Sequence, residues 1–316
     1  MSTKITVIGA GSVGSAITND IMVQGIASEV VLIDVNKEKA MGEALDIYQG
    51  APFCSPAIIR PGDYEDAAGS QIVIITSGVP RKPGQSRLEL AQTNVNILKD
   101  ITPKITKYAP DAIYIIVSNP VDILTYVFTK ISGIPENRIL GSGTVLDTSR
   151  LQSELARRFH ISPKNVHAHV YGEHGDSAFI PWSLATVTNN KIDDYKNHVT
   201  TIRPIQWEAG DHAVLEEFVK KSGAQVIKSK GATFYAVAIS VCHICKCILN
   251  GSGTALTVST MMHGEYGVDD VCLSALALVG SDGVQTKITT PLTPEETQKM
   301  QASAQKLREI IDGLEI

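Results

Sequence analysis

Four polar residues stand in otherwise apolar or glycine-rich surroundings and outline a proton-transfer site with an anion clamp. His174 lies between glycines in "HVYGEHGDS", and an imidazole, which changes charge near neutral pH, is suited to carry a proton. Asp147 and Arg150 are three apart in "GTVLDTSRLQ", which puts them on adjacent positions of a helix face entered from a Gly-rich loop. Asp147 could fix the tautomer of a nearby imidazole and favour its charged form. Arg150 could grip a carboxylate in a two-pronged hydrogen bond that lysine cannot make. Asn119 ends the run "YIIVSNPVD", at the strand end where parallel sheets present ligand-binding residues. A further cationic group, Arg81, Lys82 and Arg87, is spaced along "SGVPRKPGQSR", a Gly/Pro-punctuated loop with no apolar face. Plainer readings stand beside these: Asp147 as a helix N-cap, Arg150 as a surface residue paired with Glu154, and His174 as a turn residue.

The elements that must position these residues follow one pattern in the first half: a short β-branched run, a turn, then a stretch of helical period. Strand-like runs cover 4–10, 29–35, 55–61, 71–78, 112–119 and 137–143, with helices expected over 13–25, 37–47, 87–108 and 121–131. Near-continuous apolar runs of this length mark strands covered on both faces, as in a parallel sheet between helices. After about residue 145 the texture changes to helical periods at 147–159, 208–227, 232–249 and 294–313. Thr- and Val-rich segments at 184–202, 254–260 and 270–278 suit antiparallel hairpins. The expected class is therefore α/β, with residues 1–145 forming a Rossmann-type parallel sheet and residues 146–316 a second, α+β substrate-binding domain.

The first strand runs directly into "VIGAGSVGSA", which spaces Gly9, Gly11 and Gly14 as G-x-G-x-x-G ahead of a helical period. Such spacing serves a tight turn, close backbone approach to a pyrophosphate, and helix-to-strand contact, with the phosphates at a helix N-terminus. Asp34 ends the second strand 20 residues beyond Gly14. A carboxylate there accepts from both ribose hydroxyls of an adenosine and repels a 2′-phosphate, which points to NAD rather than NADP. The plainer reading is a tight strand-helix turn with Asp34 at the surface.

Bulk composition narrows the partners. With 316 residues, 43% apolar composition and a net charge of −5, the chain can bury one or two cores. It has no general attraction for nucleic acid or an anionic membrane. No signal peptide or membrane-spanning run is expected. Five cysteines, Cys54, Cys242, Cys245, Cys247 and Cys272, form no secreted-type disulfide framework, which suits a reducing cytoplasm. "CHICKC" lacks a second ligand pair at zinc-site spacing, and the His167, His169, His174 and Asp176 set lacks H-E-x-x-H; no metal site is expected.

The segments "GAGSVG", "VSNPVDILTY", "GSGTVLDTSR", "GEHGDS" and "KGATFYAVA" resemble the lactate and malate dehydrogenase family over nearly the whole chain, and its lactate branch more closely. The resemblance implies reversible NADH-dependent reduction of pyruvate to L-lactate by direct hydride transfer, in a cytoplasmic homotetramer. By the same match His174 is the acid/base, Asp147 its orienting partner and Arg150 the carboxylate clamp. Arg87 polarises the ketone from a mobile loop over 77–88, Asn119 touches the substrate and the nicotinamide region, and Thr233 and Val237 line the pocket. Glu173 and Thr233 are lactate-like. One position departs: Arg81 stands where the lactate branch usually has glutamine and the malate branch arginine. A guanidinium there suits the second carboxylate of oxaloacetate, so malate dehydrogenase activity or dual specificity is the alternative. The family's fructose 1,6-bisphosphate site is matched by His169, but Gln152 replaces its arginine, so weak or absent activation is expected. A nucleotide-binding regulator that does no chemistry is the reading from a different class.

Overall fold

The computed structural model describes residues 3–80, 84, 86–200, 203–205, 207–208 and 210–316. The first half forms β1 (Lys4–Ile8), α1 (Ser12–Val23), β2 (Glu29–Ile33), α2 (Lys37–Tyr48), β3 (Ile58–Pro61), β4 (Ile72–Ile75), α3 (Arg87–Tyr108), β5 (Ile113–Ile116), α4 (Val121–Ile131) and β6 (Ile139–Gly141). Each expected strand is present but shorter, because the apolar runs extend into the turns that carry the site. Ser86 caps α3 in a reciprocal pair with Glu89, which sets the helix start at Arg87, the last residue of the cationic segment.

The second half contributes α5 (Val145–Phe159), β7 (Val166–His167), β8 (Thr186–Val187), β9 (Asn190–Lys191), α6 (Asp211–Lys230), α7 (Tyr235–Leu249), β10 (Thr254–Leu256), β11 (Ser259–His263), β12 (Asp269–Ser274), β13 (Ala277–Gly280), β14 (Gly283–Lys287) and α8 (Pro294–Ile311). Among the described residues the main sheet runs β12-β11-β6-β5-β4-β1-β2-β3, with smaller sheets β10-β13-β14 and β7-β8-β9. From β3 to β6 the strands are parallel. The order reverses between β1 and β4, and a cleft opens at the carboxyl ends of strands at such a switch point.

Alternation on β4 explains why its run is wholly apolar. Ile72 and Ile74 enter a cluster with Ile17 and Ile21 of α1, Ala40 and Ala44 of α2, and Val241 and Cys245 of α7. Val73 and Ile75 enter the opposite cluster, with Val95 of α3, Phe128 of α4 and Met300 of α8. A third core joins Leu151, Leu155 and Phe159 of α5 to Trp207 and to Leu215 of α6.

The expected hairpin texture at 254–278 is present but differently deployed. The hairpin β11–β12 does not stay within the second unit; it pairs antiparallel to β6 through Ser259 and Gly141, covering what would be an open sheet edge. Cys242, Cys245 and Cys247 are free and buried on α7, with the Cys242 thiol 3.8 Å from the Ile17 carbonyl of α1. Among the described residues no helix is long and apolar enough to cross a membrane.

Candidate active site

At the end of β1 the chain turns through Gly9 in a left-handed conformation, φ +109°, which favours glycine. A Cβ on Gly14 would lie 1.8 Å from the Gly9 carbonyl oxygen, so helix α1 can approach the strand only without one. Gly11 differs: a Cβ there would meet nothing within 4 Å, because the residue faces open space. It lines a cavity of about 620 Å³ with Gly9, Asp34, Ser77 and Gly78, and a second of about 510 Å³ with Gly14, Asn94, Asn119 and Thr233. Gly11 and Gly78 border both, which makes one cleft across the strand ends. The N-cap Gly11 of α1 makes no side-chain cap bond, leaving the helix's first N–H groups for an anion. Asp34 accepts the Ala10 N–H at 2.7 Å on one oxygen and the Asn36 N–H at 2.9 Å on the other. Each oxygen keeps a lone pair, so the carboxylate is held toward the cleft and can still accept hydroxyls.

Asn94, buried within α3, was not singled out by the sequence. Its amide donates to the Asn119 carbonyl at 2.7 Å and to the Val79 carbonyl at 3.2 Å, while its oxygen accepts the Val79 N–H at 2.9 Å. It thereby ties the start of the cationic loop to the Asn119 turn. The signal in the sequence was a polar residue on the apolar stripe of "AQTNVNIL".

Far apart in sequence, Asp147, Arg150 and His174 converge in the fold. The first turn of α5 carries Asp147, 5% exposed. One of its oxygens lies 2.5 Å from His174 Nδ1 and the other accepts from Arg150 Nη1 at 2.8 Å. Two of the plainer readings fail on geometry: the N-cap of α5 is Thr144, and Glu154 pairs with Arg157 and Arg158. Burial alone would raise the Asp147 carboxyl, yet His174 and Arg150 hold it below its ordinary value. The Asp147 carboxylate raises His174 to about 9 against the effect of burial, with Asp122 adding and Arg150 opposing. With Nδ1 committed to Asp147, Nε2 is the nitrogen left to face a substrate.

Two residues hold the turn that presents His174, and the sequence indicated neither. Asp122, in the first turn of α4, accepts the His174 main-chain N–H at 2.8 Å and the Ser259 hydroxyl at 2.6 Å. Ser303, buried on α8, accepts the Glu173 N–H at 2.8 Å and lies 3.0 Å from the Ser177 hydroxyl, which in turn donates to the Glu173 carboxylate. In sequence Asp122 reads as an ordinary acid in a helix's first turn, and Ser303 as one polar residue in a polar helix.

Comparison with known proteins places the chain in a family. A family model described as lactate/malate dehydrogenase, NAD binding domain, matches residues 3–141, and one described as lactate/malate dehydrogenase, alpha/beta C-terminal domain, matches residues 144–315. The chain belongs to the lactate/malate dehydrogenase family. Among curated family members, the L-lactate dehydrogenase of Clostridium botulinum is 45% identical over 312 residues, covering 99% of this chain and 97% of its own. L-lactate dehydrogenase 1 of Clostridium acetobutylicum is 45% identical over 313 residues, covering 99% of each chain. Among solved structures, the minor L-lactate dehydrogenase of Enterococcus mundtii in a ligand-bound form superposes with a TM-score of 0.94 at 38% identity, covering 100% of this chain and 99% of that one. A lactate dehydrogenase from a deep-sea metagenome library also scores 0.94, at 35% identity, covering 99% of each chain.

The residues singled out by family resemblance are distributed unevenly. Thr233 lines the cleft with Asn119. Val237, in the first turn of α7, lines neither cavity and instead packs half-buried against the cluster containing Val145. Arg87, the first residue of α3, pairs with Asp176 and lies 3.9 Å from Glu173, so in this conformation it reaches the His174 turn through its acidic neighbours. Arg81 and Lys82 lie outside the described residues. His169 borders a separate cavity of about 450 Å³ with Gln152 and His243. Burial lowers its pKa to about 4, with His167 adding. The Gln152 amide donates to the Ala168 carbonyl at 3.1 Å.

Proposed function

We propose that this chain catalyses the reversible, NADH-dependent reduction of pyruvate to L-lactate. The observation that carries the reading is the continuous chain from Arg150 through Asp147 to His174, tied through Asp122 to the helix that begins just after Asn119. The cleft fits the dinucleotide: Gly11 leaves an open cradle at the α1 N-terminus, and Asp34 retains acceptor capacity for a ribose. When bound, NADH supplies the hydride that reduces the ketone carbon.

The protein's own groups do the rest. Arg150, with Nη1 anchored on Asp147, presents its remaining N–H groups to the substrate carboxylate. His174, kept as imidazolium by Asp147, donates its Nε2 proton to the ketone oxygen as negative charge develops there. Arg87 stabilises that charge once it leaves Asp176 and Glu173 for the substrate. In lactate oxidation the neutral imidazole accepts the proton instead.

Oxaloacetate, the alternative raised by Arg81, is not favoured, since the full-length relatives at 45% identity are named for lactate. A cytoplasmic homotetramer is the proposed working form, with little response to fructose 1,6-bisphosphate because Gln152 carries no charge. The test is pyruvate-dependent oxidation of NADH by the intact protein and by His174→Ala. Turnover in the first, and its near-abolition in the second with NADH binding retained, is expected. Tight NADH binding without turnover on any 2-keto acid would sink the enzyme reading in favour of a regulator.

A further inference from the structure

Asp122 takes no part in the proton transfer described above, yet it is 2% exposed. A buried carboxylate is costly unless its oxygens are satisfied. Here both are: Oδ2 accepts the His174 main-chain N–H at 2.8 Å and Oδ1 the Ser259 hydroxyl at 2.6 Å. Hydrogen bonds to an ionised acceptor are shorter and stronger than neutral ones. The three groups so joined come from three places: the first turn of α4, just after the cleft residue Asn119; the first residue of β11; and the turn that bears the imidazole. The neighbouring N–H, of Glu173, is held separately by Ser303 of α8. Two successive N–H groups of the turn are thus pinned by different helices, and only the Asp122 bond refers His174 to the element that follows Asn119.

We propose that Asp122 is a positioning residue for the acid/base, fixing the His174 imidazole relative to the cleft through the main-chain N–H. This rests on the reading of His174 as the proton donor. Among the described residues the charges that weigh most on His174 are Asp147, Asp122 and Arg150, and Glu173 faces Asp122. Loss of the Asp122 charge therefore shifts the alkaline limit of pyruvate reduction to lower pH, while loss of the acceptor atom lowers kcat.

The experiment measures pyruvate reduction by the full chain against pH, with NADH affinity determined separately. Asp122→Ala is expected to lower kcat about tenfold or more, in line with the cost of a misplaced catalytic group, with NADH affinity unchanged. Asp122→Asn keeps a carbonyl oxygen for the His174 N–H and is expected to recover most of kcat while retaining the shifted alkaline limb. Should Asp122→Ala fail to fold, Asp122→Asn and Ser259→Ala carry the test. The asparagine variant must then show the shifted limb, and the alanine variant, which releases Oδ1, a lowered kcat at unchanged NADH affinity. Wild-type kcat in Asp122→Ala, a folded Asp122→Asn no better than Asp122→Ala, or a kcat loss matched by equal loss of NADH affinity overturns the proposal. A wild-type chain inactive on pyruvate sinks the lactate reading instead, whereas an active wild type with silent variants sinks this proposal alone.

Discussion

Replacing Asp147 by asparagine removes the carboxylate that joins His174 to Arg150 while preserving the side chain's size. In the intact protein His174 is raised from 6.5 to about 9, chiefly by Asp147, which corresponds to roughly 3 kcal/mol in favour of the imidazolium. Without that charge, burial and Arg150 pull the pKa down while Asp122 supports it, so a value near or below the ordinary one is expected. At a pH of about 7.5 the protonated fraction then falls from nearly all to about one in ten. Pyruvate reduction, which needs the imidazolium, should lose about tenfold from protonation alone. An amide that donates to Nδ1 instead leaves the neutral ring's proton on Nε2, the tautomer that cannot accept the lactate hydroxyl proton, so a further loss falls on lactate oxidation. Arg150, deprived of its 2.8 Å partner, should also hold pyruvate less well and raise KM. The assay is kcat and kcat/KM for pyruvate across the pH range, with lactate oxidation in parallel. The alkaline limb of reduction should move from near 9 toward neutrality, with part of the activity returning in mild acid. Lactate oxidation, which needs neutral imidazole, should shift its acid limb the same way. An alkaline limb that stays near 9 in the variant would refute the assignment of Asp147 as the source of the shift.

Three other outcomes are expected. Gly14→Ala should lower the melting temperature markedly, since its Cβ would strike the Gly9 carbonyl, whereas Gly11→Ala should melt like the wild type but bind NADH more weakly; equal melting temperatures for the two would contradict the division of roles. Because the folded pKa of His174 is raised, its stabilising contribution is complete below about 6.5 and disappears as pH rises through about 9; the wild type's advantage over Asp147→Asn in urea unfolding should shrink across that window, and an advantage that grows would reverse the sign. Arg81→Gln should reduce efficiency on oxaloacetate far more than on pyruvate, and an unchanged ratio between the two substrates would remove Arg81 from substrate choice.

Much of the candidate site's layout could be read from local pattern. Gly9, Gly11, Gly14 and Asp34 are legible because a strand, a glycine spacing and a following helix impose one geometry over a few tens of residues. Asp147 and Arg150 are legible as a pair because helical period alone makes positions three apart neighbours. Those rules act along the chain and need no knowledge of what lies across it.

Only tertiary packing decided the remainder. Nothing local brings His174 to Asp147, 27 residues earlier, or its N–H to Asp122, 52 residues earlier. Ser303, 130 residues after Glu173, is further still. The transfer of β11–β12 onto β6 likewise depended on an edge that one half of the chain leaves and the other covers. A carboxylate in a helix's first turn has the same local energetics whether it faces water or the interior. Its burial, its partners and therefore its role are settled by the packing of segments distant in sequence, where desolvation makes each missing hydrogen bond costly.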